Sequence, residues 1–217
     1  MPRLRSDDQK KERMASFIDC TRQLIDEDGY SNVSIRKIAS RAGYHNSTIY
    51  FYFNDLDYLL ALASVRTFEQ YSKELAAISS LNQSNSEVFY PIWECFARNA
   101  FAAPDLYNHF FFGKYRNSIT ELLNQYYQLF PEEKLAYSDI IQEMYFAPTF
   151  SERCLAILLP LIGDPRFRVT EENLTIANDL SIASFQKALE QKILDPSLDT
   201  DELTRHFLKT LHFIMDA

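Results

Sequence analysis

Val33 to Phe53 reads V-S-I-R-K-I-A-S-R-A-G-Y-H-N-S-T-I-Y-F-Y-F, and this stretch decides the fold. Ser34 is a helix N-cap, because its hydroxyl can accept from the orphan N–H groups of a first helical turn. Behind it Ile35, Ile38, Ala39 and Ala42 recur at helical spacing and form one apolar face. Ala39 is small where a second helix must cross closely, and Gly43 suits the left-handed residue that ends a helix. A second helix is expected from about His45 to Tyr52, with Ile49 turned inward. Close contact, sharp turn and buried anchor thus follow in the order a helix-turn-helix needs. The start of the second helix offers Tyr44, His45, Asn46, Ser47 and Thr48, hydrogen-bonding side chains where a recognition helix meets base edges.

Upstream, Met14, Phe17, Ile18, Thr21, Leu24 and Ile25 recur three or four apart, which predicts a helix from about Gln9 to Asp28, closed by Gly29. Tyr30 and Val33 then pack it on the helix-turn-helix, giving a small three-helix bundle of the kind that reads DNA. Contacts within it divide by role. Ser34 can cap its helix and touch a phosphate, and Arg36 follows the cap on an exposed turn, as a phosphate contact or a surface ion pair. Asn46 has the paired donor and acceptor that suit adenine. His45 can donate or accept at a base edge. Thr48, Tyr50 and Tyr52 carry hydroxyls within reach of phosphates, Tyr52 alternatively packing on Phe53. Arg3 and Arg5 either reach a phosphate or minor groove or belong to a solvated chain end.

These residues resemble the TetR/AcrR family of transcriptional regulators. The resemblance is carried by Gly29-Tyr30, Val33-Ser34-Ile35-Arg36, Ile38-Ala39, Arg41-Ala42-Gly43, Thr48-Ile49-Tyr50, Tyr52-Phe53 and Leu59, in order and without gaps over the first quarter of the chain. The rest matches in character only. The family usually has Val-Ser where this chain has Tyr44-His45, often Gly where it has Ser47, and Lys where it has Leu56, which removes one expected phosphate contact. The resemblance implies DNA binding, an inducer pocket in the second part of the chain and a four-helix dimer interface built from two helices of each subunit. It leaves the operator sequence open.

Beyond Phe53 a long helix is expected. Asn54-Asp55 is its N-cap signal, and Leu56, Leu59, Leu60, Ala63, Phe68, Tyr71, Leu75 and Ile78 carry it to about Ser80. At ~1.5 Å per residue it would reach on the order of 40 Å and act as a lever. From Glu87 onward helices alternate with prolines: to about Ala102, Asp105 to Phe112, Tyr115 to Phe130, a restart at Pro131 toward Phe146, and Thr149 to Ile162. Gly163-Asp164-Pro165 is a firm break. The fold expected is all-α, with a DNA-binding domain over 1–53 and a helical ligand-binding and dimerisation domain over 54–217.

The second part is dense in rings. Trp93, Phe96, Phe110, Phe111, Tyr115, Tyr126 and Phe146 are the candidate walls of an apolar effector pocket; a solid aromatic core is the other reading. The last two helices, one capped at Thr170 and one from Thr200 to Met215, are apolar over more than one stripe. A helix with two apolar faces must bury both. Leu180, Ser181, Phe185, Ala188, Phe207, Leu211 and Ile214 are the candidate residues for a dimer face, burial within one chain being the alternative.

Composition narrows the function. Net charge is −8 over 217 residues. Residues 1–53 hold nine Lys/Arg against seven Asp/Glu, and the rest thirteen against twenty-three, so the cationic part coincides with the DNA-reading part. Four glycines argue against a β-rich fold full of tight turns. No stretch approaches the ~20 apolar residues that span a bilayer, and the N-terminus has no secretory pattern. Cys20, Cys95 and Cys154 are odd in number and far apart, which fits a reducing, cytoplasmic setting. No Gly-rich phosphate loop and no metal-ligand spacing is present, so no cofactor or metal is expected. The function expected is a homodimeric regulator, a repressor released by an apolar or aromatic effector, and not an enzyme. The alternatives are a regulator controlled by a protein partner, and a helical carrier or enzyme that has lost DNA binding.

Overall fold

The structure, a computed structural model, describes residues 7–81 and 83–217. Arg3 and Arg5 lie outside the described residues. Twelve α-helices are described: α1 (Asp7–Asp28), α2 (Ile35–Ala42), α3 (Asn46–Ile49), α4 (Leu56–Thr67), α5 (Glu69–Ser79), α6 (Phe89–Ala102), α7 (Pro104–Phe112), α8 (Ile119–Leu129), α9 (Asp139–Phe146), α10 (Phe150–Leu158), α11 (Leu174–Leu194) and α12 (Thr200–Met215). Among the described residues the β content is one isolated antiparallel bridge, Phe167 to Asp216. The fold is all-α. Two compact units form: one runs through Glu69 and takes in Glu121–Lys134, the other holds Gln70–Thr120 and Leu135–Ala217.

In the first unit α1 buries Met14, Phe17, Ile18, Thr21 and Leu24, three and four apart, against α2 and α4. α4 is buried at every position from Leu59 to Val65, as a helix apolar all round must be. Asp55 caps it by accepting the Tyr58 N–H at 2.8 Å. Residues 121–134 complete the unit. The Tyr58 hydroxyl donates to Gln125 Oε1, and Arg66 joins Asp19 at 2.9 Å to Glu133 at 3.5 Å.

One local expectation fails here, and another holds with a different backbone geometry. The long helix expected after Asn54-Asp55 and on to about Ser80 is interrupted at Phe68 (φ −78°, ψ 7°), whose N–H is shared by the carbonyls of Ser64 (3.2 Å) and Val65 (3.1 Å). The Ser64 hydroxyl returns to the Leu60 carbonyl at 2.8 Å, a back-bond that bends helices. The other concerns Gly29. It follows α1, but at φ 82° and ψ 153° it is not in the left-handed helical region that a helix-closing glycine usually adopts.

In the second unit α6 packs on α7, α11 and α12, α10 on α9 and α11, and α11 on α12. Phe185 of α11 is at the centre, fully buried, with the rings of Phe96 (5.0 Å), Phe101 (5.6 Å), Phe207 (5.6 Å) and Phe150 (5.7 Å) around it. Of these pairs two are tilted, one is edge-on and one, Phe101 with Phe185, is stacked. α12 spans the expected residues and is capped by Asp199, which accepts the Glu202 N–H at 2.8 Å. α11 starts at Leu174, later than the Thr170 cap predicts. Thr170 and Asn173 instead close a turn on each other, the Thr170 N–H to Asn173 Oδ1 at 2.8 Å and the Asn173 N–H to Thr170 Oγ1 at 3.4 Å. Among the described residues no helix is long and apolar enough to cross a membrane, and no cluster of three His, Cys, Asp or Glu could hold a metal ion.

Candidate nucleic-acid interface

The turn between α2 and α3 is built by the residues that predict it. Ser34 Oγ accepts the Lys37 N–H at 3.3 Å. Ala39 and Ile38 are buried. Gly43 closes α2 in the left-handed region (φ 74°, ψ 31°). The Tyr44 N–H then returns to the Ala39 carbonyl at 2.9 Å and the Gly43 N–H to Ser40 at 3.3 Å. This crossed pair is the Schellman arrangement, and it fixes the direction in which α3 leaves. Ile49 and Phe53 anchor the far side, fully and almost fully buried.

α3 is shorter than the span His45 to Tyr52 predicts: it ends at Ile49, and Tyr50 to Tyr52 form turns. Its cap is His45, whose Nδ1 accepts the Ser47 N–H at 3.4 Å and meets Ser47 Oγ at 2.8 Å. His45 and Ser47 are therefore occupied with each other on that edge, and the Nε2 edge of the ring is the one left for a partner. Asn46, the first residue of α3, is exposed. Thr48 is half-buried and Tyr50 exposed. Tyr44 and Tyr52 turn toward the bundle, their rings 5.3 Å and 5.9 Å from that of Phe17. The Arg13 guanidinium covers Tyr44 at 4.6 Å. The structure thus brings Ser34, Arg36, His45, Asn46, Ser47 and Tyr50 to the surface of the motif and gives Tyr44 and Tyr52 a packing role.

The cations of α2 divide unequally. Lys37 pairs with Asp28 at 2.7 Å. Arg41 holds Glu27 through two bonds of 2.7 Å and 2.5 Å. Hydrogen bonds from these cations hold the Glu27 and Asp28 carboxyls below the usual carboxylate range. Arg36 is exposed and forms no ion pair with a described side chain. Sequence reasoning did not single out Phe51, which is 79% exposed beside Tyr50. The signal lay in the early end of α3, which turns that ring outward.

The expected effector residues separate. Trp93 and Phe96 line a cavity in the second unit with Tyr71, Phe150 and Arg153. Its volume is about 20 Å³, the room of a single water. Phe111 stacks edge-on with Phe96 at 5.1 Å, and Phe110 with Phe111 at 5.0 Å. Phe146 packs on Tyr145 at 5.2 Å. The Tyr115 ring lies under the Lys114 ammonium at 5.6 Å. Tyr126 belongs to the first unit, its ring tilted against Phe130 at 4.8 Å and its hydroxyl donating to Glu133 at 2.5 Å.

The expected dimer residues also divide. Phe185, Phe207, Leu211 and Ala188 are buried in the chain's own core. Ser181 is buried, its hydroxyl on the Ala177 carbonyl at 2.7 Å. Ile214 is half-buried. Leu180 is exposed, and so are Ile176, Leu194 and Phe213, four outward apolar groups of α11 and α12.

The fold and the turn define a helix-turn-helix protein with a second, helical unit. Residues 17–62 match the family model described as bacterial regulatory proteins, tetR family. That match covers the helix-turn-helix part of the chain, which is similar to this family there. Solved structures share its fold along most of both chains. RolR in complex with resorcinol is 18% identical, covering 96% of this chain and 90% of its own, at a TM-score of 0.60. Thermus thermophilus FadR, a TetR family transcriptional repressor in complex with lauroyl-CoA, is 16% identical, covering 91% and 92%, at 0.57. The SmeT–triclosan complex is 18% identical, covering 95% and 92%, at 0.50. At these identities the likeness is one of fold. No curated protein sequence matches this chain.

Proposed function

We propose that the protein is a homodimeric, ligand-responsive repressor of transcription, acting in the cytoplasm on a pseudo-palindromic operator, and not an enzyme. The observation that carries this reading is the turn itself. A Schellman-closed Gly43 and a buried Ile49 hold α3 with His45 and Asn46 at its outward end. Two such helices in a dimer would enter successive major grooves ~34–36 Å apart. Asn46 would read a base, with His45 beside it, while Arg36, Ser34 and Tyr50 take phosphates. The dimer would form through the outward apolar groups Ile176, Leu180 and Phe213.

Effector control follows from the second unit. α5 carries Tyr71 into the cavity wall and begins one residue after the interruption at Phe68. The chain passes from one unit to the other within α5. A ligand that moves Tyr71 would therefore act on the covalent link to the DNA-reading unit. Operator and effector would oppose each other reciprocally, by a coupling of typically ~1–3 kcal/mol. The known complexes of RolR with resorcinol, FadR with lauroyl-CoA and SmeT with triclosan support a small-molecule effector.

The cavity volume of about 20 Å³ favours a second reading, in which the aromatic half is solid and a protein partner controls the chain. A salt-controlled binding assay on DNA upstream of the protein's own gene tests the first part. Dimeric binding to one inverted repeat, steeply dependent on salt, is the expected result. Absence of binding there and in a genomic pull-down would overturn the regulator reading in favour of a carrier or enzyme. Leu180→Ser with Phe213→Ser should yield a monomer by sedimentation, and an unchanged dimer would refute the proposed face.

A further inference from the structure

Arg153 of α10 is only 3% exposed. A buried ion is costly unless it is paired. Arg153 Nη1 donates to the Tyr145 carbonyl, and Nη2 lies 3.4 Å from the Tyr71 hydroxyl. The guanidinium also faces the rings of Phe111 at 5.2 Å and Tyr145 at 5.4 Å. Every one of these partners is neutral, and no carboxylate among the described residues pairs with it. Nearby acids of weaker kind do not supply the charge. Burial pushes the Tyr71 phenol well above its ordinary range, Arg153 opposing this only in part, and it pushes the Cys154 thiol up in the same way.

The same cavity wall carries a donor with no acceptor at all. Trp93 is 2% exposed, and its indole N–H has no acceptor. Two hydrogen-bond donors, one of them cationic, stand in a wall otherwise made of rings and of Ile92, Met144 and Ile157. The complement of such a wall is a hydrocarbon ending in an anionic acceptor. A carboxylate fits a single guanidinium, because its two oxygens match the fork of N–H donors. A phosphate would bring more charge than one cation answers.

We infer that Arg153 anchors an anion subsite and that the effector is a small aromatic or aliphatic carboxylic acid, its carboxylate on Arg153 and its hydrocarbon among Trp93, Phe96 and Phe150. This rests on the effector reading of the second unit. The present cavity is too small for such a ligand, so binding requires the wall to open. Met144, unbranched and flexible, is the side chain best able to move.

Trp93 is the only tryptophan in the chain, so intrinsic fluorescence reads this cavity directly. The probes are benzoate, phenylacetate, hexanoate and decanoate, each beside its neutral amide, titrated into the full-length protein with operator release measured in parallel. The acids should change Trp93 emission and loosen DNA binding, with each amide at least ~10-fold weaker, since an unpaired buried cation is what the acid satisfies. Arg153→Met should abolish the preference for acid while leaving amide binding unchanged, and Arg153→Lys should retain part of it. If Arg153→Met does not fold by circular dichroism, the acid–amide comparison on the unmodified protein decides alone. Equal binding of acids and amides, or an acid preference that survives in folded Arg153→Met, overturns the anion subsite and leaves the effector reading standing. If no probe of either kind binds, both fall, and control by a protein partner takes their place.

Discussion

Two glycines lie on either side of α2, one before the helix-turn-helix and one in its turn, and they should respond differently to the same pair of substitutions. Gly43 sits at φ 74°, ψ 31°, the left-handed helical region, which costs an ordinary L-residue ~1–2 kcal/mol. A Cβ there would meet nothing within 4 Å, so no steric penalty adds to that figure. Gly43→Ala should therefore cost ~1–2 kcal/mol, and Gly43→Asn clearly less, because Asn visits this region. Gly29 sits at φ 82°, ψ 153°, a region populated essentially by glycine alone and costing ~1–3 kcal/mol for other residues. Its Cβ would lie 4.0 Å from Asn32 Nδ2, so here too the backbone sets the penalty. Gly29→Asn should be as damaging as Gly29→Ala. Native-state hydrogen exchange of peptides from α1 and α2 reports this unit separately from the rest, and ~1.4 kcal/mol is tenfold in protection. Rescue by Asn at 43 and not at 29 is the expected pattern. Equal rescue at both, or at neither, would refute the assignment of the cost to backbone sign and region.

Two further outcomes follow from the charges. Arg36→Ala should weaken binding to all DNA sequences alike and flatten the salt dependence by about one unit for each phosphate the side chain no longer neutralises, whereas Asn46→Ala should cost ~1–3 kcal/mol on the operator and relax discrimination at one position; competition binding at several salt concentrations separates the two. Burial alone would raise Glu74, but hydrogen bonds from Gln70, Arg98, Asn99 and Cys95 outweigh it and hold the carboxyl at about 2. A folded value below the unfolded one means stability that is present above about pH 4.5 and is lost as pH falls toward 2. Acid titration of thermal stability should therefore be steeper over that window in the unmodified protein than in Glu74→Gln, and parallel curves would contradict the assignment.

The turn was legible because its chemistry is local. Ser34, Ala39, Gly43 and Ile49 each have one residue type suited to one backbone or packing demand, and the structure uses each in that way. The limits of α12 were readable for the same reason, Asp199 and the following acids marking its start. The break at Phe68 was not, since neither glycine nor proline marks it and the Ser64 back-bond acts inside an otherwise regular helical pattern. Tyr126 could not be assigned to the first unit from sequence, because residues 121–134 reach that unit through tertiary contacts with Tyr58 and Arg66 of α4. Arg153 stands in S-E-R-C-L, where an arginine between a glutamate and a cysteine reads as a surface residue. Only the packing of α10 against α9 and α11 puts it inside.

The pairing of Lys37 and Arg41 with Asp28 and Glu27 bears on how the proposed regulator would grip DNA. Phosphate contacts supply most of a DNA-binding protein's sequence-independent affinity. In the described part of this motif two of the three cations on α2 are already held by carboxylates of α1, and Leu56 stands where a fourth cation would serve. A single motif is thus poorly equipped to hold DNA by charge alone. Base contacts from Asn46 and His45 can discriminate between sequences, but a monomer's total affinity stays low. Linking two motifs in one dimer makes the second engagement intramolecular, which raises the combined affinity by orders of magnitude if the spacing matches and by nothing if it does not. Weak single-site grip is what makes spacing a usable control variable. A repressor with many free cations would remain on DNA at the wrong spacing, whereas the proposed dimer, with two of three α2 cations in each motif tied down, would let go.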